Sequence, residues 1–77
     1  MNSELQQAME LMQSGQWEAA HEIVQTRNDE LACWMHAWLH RQEGDIGNAT
    51  YWYRRAGRLL PDSSLEEELE LIGQSLS

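Results

Sequence analysis

Residues 31–39 read Leu-Ala-Cys-Trp-Met-His-Ala-Trp-Leu, and wound into an α-helix they spread apolar side chains over nearly its whole circumference. Such a helix has to be covered on more than one side, so it belongs at the centre of the fold with the other segments packed around it. Those segments are also helical by default, because the 77-residue chain has one Pro, almost no β-branched runs and many Leu, Ala, Glu and Gln residues. A chain this short buries only about 60% of the surface it exposes when unfolded. One shallow core is within its reach; a cleft walled by two layers is not.

Turn and cap residues divide the chain into five helices. Ser3 can cap the first, whose Leu5, Ala8, Met9 and Met12 form one apolar stripe, and Ser14-Gly15 stops it. The second runs from about Trp17 to Gln25 with Trp17, Ala20 and Val24 on one face, and Thr26-Arg27-Asn28-Asp29 breaks it. Asn28 or Asp29 then caps the central helix, about Glu30 to Glu43, which Gly44 ends. The fourth carries Ile46, Ala49, Trp52, Tyr53 and Ala56, with Asp45 as its cap or first-turn acid, and halts at Gly57 and Pro61. Ser63 and Ser64, each with a Glu three residues on, signal a capping box for the fifth, whose stripe is Leu65, Leu69, Ile72 and Leu76.

A slide of 29 residues brings Ala8, Gly15, Trp17 and Ala20 onto Ala37, Gly44, Ile46 and Ala49, which makes two similar helical hairpins. Gly in each turn permits a positive φ, and Ala on each helix lets two backbones approach closely. The second copy resembles the second half of a tetratricopeptide repeat: Gly44, Ile46, Ala49, Tyr53, Ala56 and Pro61 fill the positions of that family's pattern, and Ala37 is the small residue preceding them. The first copy departs at Arg27, where a small residue belongs, and the 29-residue spacing is shorter than the family's 34. The resemblance implies an all-α domain over residues 1–77, with repeat 1 at about 4–27, repeat 2 at about 30–61 and a capping helix at about 63–76. The two hairpins would be antiparallel and stacked in a right-handed array. The run from His40-Arg41-Gln42-Glu43-Gly44-Asp45 to Tyr51-Trp52-Tyr53-Arg54-Arg55-Ala56-Gly57 is also similar to a block in small uncharacterised bacterial proteins, which implies no activity.

The formal charge of −8 argues against nucleic acid or an anionic membrane as partner. Cys33 stands alone, which excludes an internal disulfide and fits a reducing compartment. Met1 to Glu10 has neither the basic start nor the apolar run of a signal peptide, and no apolar stretch is long enough to cross a bilayer, so the expected location is the cytoplasm. Within the acidic whole, residues 41–58 hold Arg41, Arg54, Arg55 and Arg58 against Glu43 and Asp45, whereas residues 62–77 hold five acids and no base.

Three groupings are candidates for function. Trp34, Trp38 and Arg41 lie at i, i+4, i+7, a stripe that the tetratricopeptide resemblance places on the inner, peptide-binding face. Indoles beside a guanidinium have the composition of an interface hot spot. The competing expectation is that the fifth helix covers this face, Trp34 above all, and neutralises part of the arginine cluster. The leading expectation is thus a non-catalytic module that takes an acidic peptide, a carboxylate terminus or a partner subunit through Trp38, Arg41, Arg54, Arg55 and Arg58, without a cofactor. Cys33, His36 and His40, with Glu43 a turn further on, are residue types that bind zinc, and His36 and His40 are near enough on one helix to share an ion. Their simpler reading is as core histidines bonded to Tyr53 or a backbone carbonyl. His40 with Glu43 and Asp45 can also be written as an acid/base set, and a small metal-dependent or acid/base enzyme centred on His36, His40 and Glu43 is the alternative function. A homodimer closing its apolar patch on itself is the other alternative, since two repeats are few for such an array.

Overall fold

The computed structural model describes residues 3–76 and consists there of five α-helices: α1 (Ser3–Gln13), α2 (Trp17–Val24), α3 (Glu30–Gln42), α4 (Ile46–Arg55) and α5 (Leu65–Leu76). The protein is all-α. The Ser3 side chain, expected to cap α1, lies outside the described residues. Helix α3 touches each of the other four, and every residue from Ala32 to His40 is buried. The apolar circumference of that segment has therefore been met by neighbours on all sides. Helix α1 packs on α2 and α5 as well, which gives a body of 27 × 23 × 22 Å.

The turns at Gly15 and Gly44 share one geometry. Gly15 has φ +78° and Gly44 φ +89°, values that cost a residue with a Cβ about 1–2 kcal/mol. At the end of α1, Gln16 N–H reaches Leu11 O at 2.9 Å and Gly15 N–H reaches Met12 O at 3.3 Å. At the end of α3, Asp45 N–H reaches His40 O at 2.9 Å and Gly44 N–H reaches Arg41 O at 3.1 Å. Both are Schellman endings, which satisfy the carbonyls a helix leaves unpaired. They lie 29 residues apart, the same offset as the sequence repeat. Ala8, Ala20, Ala37 and Ala49, the paired small residues, are all fully buried.

Caps and ties complete the frame. Asp45 accepts Asn48 N–H at 3.3 Å and so caps α4. Of the two possible capping boxes before α5, Ser64 and Glu67 form the real one: Glu67 N–H donates to Ser64 Oγ at 3.1 Å and Ser64 N–H to Glu67 Oε1 at 3.0 Å. Asp29 stands at the N-cap of α3 with its carboxylate on Arg27 Nε at 3.0 Å. Arg27, in the slot where the repeat pattern wants a small residue, also reaches Glu4 of α1 at 2.7 Å. None of the helices among the described residues is long and apolar enough to cross a membrane.

Candidate functional site

Helix α5 lies across the stripe expected to bind a partner. Its Leu65, Glu68, Leu69 and Ile72 follow the i, i+3, i+4, i+7 rule, so the face turned to the core includes a carboxylate. Glu68 is 1% exposed. Its Oε2 accepts from Trp34 Nε1 at 2.9 Å and from the Tyr53 hydroxyl at 2.5 Å, and its Oε1 accepts from Arg41 at 2.7 Å. Arg41 also donates to Ser63 O, and Trp38 Nε1 donates to Leu65 O at 3.0 Å. A buried carboxylate needs this full set of donors, since charge left unpaired in a core is costly.

Trp38 and Arg41 were expected to face a partner, and that expectation needs correcting: Trp38 retains 3% of its surface and the Arg41 side chain 17%. Both are occupied by α5, as is Trp34. The physical reason is Glu68, which sits in an apolar stripe while reading, beside Glu66 and Glu67, as part of a solvated first turn. The remaining arginines of the cluster stay exposed. Arg58 lies over the Trp34 ring, 3.4 Å from its centre, and Arg55 lies over Trp52 at 4.9 Å while reaching Asn28 Oδ1 at 3.3 Å. Arg54 projects from the last turn of α4.

The second grouping is a histidine cluster between α2, α3 and the indoles that flank them. His36 and His40 share a face of α3, with their rings stacked at 4.9 Å. His21 of α2 joins them: its Nε2 lies 3.0 Å from His36 Nε2, and its ring centre is 5.2 Å from that of His40. Trp17 stacks on His21 at 4.7 Å and Trp52 stacks on His36 at 3.9 Å. Trp17 is itself held by its indole N–H on Leu39 O at 2.7 Å. Glu43 Oε1 meets His40 Nδ1 at 2.6 Å. One ligand nitrogen from each of the three histidines lies within 4.8 Å of the others, and His40, Glu43 and Asp45 satisfy the same measure.

Burial, and then the neighbouring His21, His40 and Arg55, hold the His36 imidazole down to about 3. His21 is lowered in the same direction, first by burial and then by His40. Neutral imidazoles pair through one shared proton, so the His21–His36 contact has one ring as donor and the other as acceptor. His36 Nδ1 is buried with no partner.

The sequence groups His36, His40 and Glu43, and in the structure His40 lies between the other two, its ring against that of His36 and its Nδ1 2.6 Å from Glu43 Oε1. Tyr53 was expected as a histidine partner, whereas its hydroxyl is spent on Glu68. Cys33 is buried away from the cluster with its thiol toward Asn28 O at 3.8 Å, and Asp45 is engaged in capping. His21 was missed. The available signal was its i+4 spacing from Trp17, a residue already assigned to the buried side of α2.

Comparison of the chain with protein-family models, with curated proteins and with solved structures yields no match.

Proposed function

We infer that the protein is a non-catalytic interaction module, built on tetratricopeptide-like hairpins, whose exposed edge around Arg54, Arg58, Leu59 and Leu71 takes an acidic, leucine-bearing segment of another protein. One observation carries this reading: Leu59 is 89% exposed and Leu71 49% exposed, and both border one shallow hollow with Trp34, Arg58 and Pro61. Leu60 follows at 41%. Aliphatic side chains left in water beside guanidinium groups, in a protein of net charge −8, complement an apolar ligand that carries acid. The inner face supplies a precedent within the molecule, because it already holds a segment of that chemistry in α5, through Ile72, Leu76 and Glu68. The matching Schellman turns and buried alanines of the two hairpins support the tetratricopeptide likeness.

The test is fluorescence anisotropy with a panel of labelled synthetic peptides that combine Leu with Asp or Glu. Saturable binding that weakens at least about tenfold in the Arg54→Glu/Arg58→Glu variant, with an unchanged circular dichroism spectrum, is the expected result; tenfold corresponds to about 1.4 kcal/mol. A panel without a binder, or binding indifferent to charge reversal, overturns the reading. A concentration-dependent dimer that Leu59→Ser dissolves would assign the edge to a second copy of the chain instead.

A further inference from the structure

We propose that His21, His36 and His40 form a three-histidine site for a borderline divalent metal ion, zinc(II) foremost, with a fourth position left to water. The proposal is separate from the interaction edge and survives its failure.

The spacing of the donors is the first support. Ligands at about 2.0–2.1 Å from a tetrahedral zinc ion lie roughly 3.3 Å from each other. His21 Nε2 and His36 Nε2 stand at 3.0 Å, and a nitrogen of each of the three rings is within 4.8 Å of the others. The donor set is imidazole, which suits zinc, copper and nickel, and excludes the hard cations that prefer oxygen.

The surroundings match those of a metal ligand set. Glu43 engages His40 through Nδ1, which leaves Nε2 as the ligating nitrogen and fixes the ring. Trp17 and Trp52 stack against His21 and His36 and restrict their rotation. His21 is half-buried while His36 and His40 are buried, so an ion has an approach from the His21 side.

The cluster is also expensive for a small core without a cation. His36 is 3% exposed, and its Nε2 meets the Nε2 of His21. Three imidazoles in mutual contact repel when protonated, and when neutral they share one N–H···N bond. Turning one lone pair from each ring toward a single cation replaces that one N–H···N bond with three nitrogen–metal bonds.

The experiment is titration of chelator-treated protein with zinc chloride alone, followed by calorimetry, and with cobalt(II) followed by visible absorption. One zinc per chain is expected, together with the intense ligand-field bands of tetrahedral cobalt. His21→Gln, at the half-exposed ligand, should weaken zinc at least about tenfold, and Glu43→Gln, at an exposed positioning residue, by roughly 10–100-fold. Cys33→Ser should bind as wild type does. Failure of the wild type to bind zinc stoichiometrically overturns the site. So does equal binding by His21→Gln, which would place the ion on surface carboxylates.

Discussion

Arg41 and Glu68, 27 positions apart in the chain, form a 2.7 Å ion pair in which the carboxylate is almost wholly buried. The pair joins α3 to α5, and the indole of Trp34 and the hydroxyl of Tyr53 complete the shell of the carboxylate. Charge and apolar packing therefore act together at the seam where the last helix closes the molecule.

Glu68→Ala should be among the most damaging single substitutions in this chain. It leaves a guanidinium, an indole N–H and a phenol without their shared acceptor, and breaking a buried pair typically costs about 3–5 kcal/mol. Glu68→Gln keeps an acceptor for Trp34 and Tyr53 and should cost clearly less. Urea denaturation followed by tryptophan fluorescence checks the order; equal stability of Glu68→Ala and wild type would contradict the burial of the pair.

Stability should also decline in alkali for a reason located at Tyr53. Burial, and then the hydrogen bond to Glu68, push its hydroxyl above the ordinary value of 10.0. A folded-state value raised above the unfolded one means that the unfolded chain loses this proton first. The stabilisation is complete below pH 10 and drains away as pH rises beyond it. Tyr53→Phe should be less stable at neutral pH by about 1 kcal/mol, from the lost hydrogen bond, and should show a flatter decline above pH 10. Chemical denaturation at a series of alkaline pH values reads both effects.

Two glycines should respond to alanine in opposite directions. Gly44 has φ +89° with open space around it, so Gly44→Ala suffers only from its backbone and should lose about 1–2 kcal/mol. Gly47 lies inside α4, also with nothing within 4 Å of an added Cβ, and Gly47→Ala should gain up to about 1 kcal/mol. Thermal midpoints of the two variants should fall on either side of wild type.

Arg58→Ala should test the contact with Trp34. A guanidinium over an indole at a partly exposed site contributes about 0.5–1 kcal/mol, and a loss of that size is expected with the helical content intact. A shift in tryptophan emission should accompany it, because the cation leaves the Trp34 ring.

The sequence by itself determined the five helices and their approximate ends, since helix propensity, glycine turns and a serine–glutamate cap before α5 act over a few residues and do not depend on distant chain; the choice of Ser64–Glu67 over Ser63–Glu66 came with the structure. It also determined that α3 is central, because apolar side chains around a whole helix admit no exposed placement. The tertiary structure alone decided what the ionisable groups do. Glu68 is the same residue type as its neighbours Glu66 and Glu67, and only the docking of α5 on α3 turns it from a solvated acid into the buried partner of Arg41. The approach of α2 to α3 likewise brings His21 to His36: the i+4 spacing from Trp17 turns His21 toward the buried side of α2, but only the packing of the two helices sets it against His36. Local chemistry sets a backbone; the environment of a charge or an imidazole depends on which helix arrives beside it.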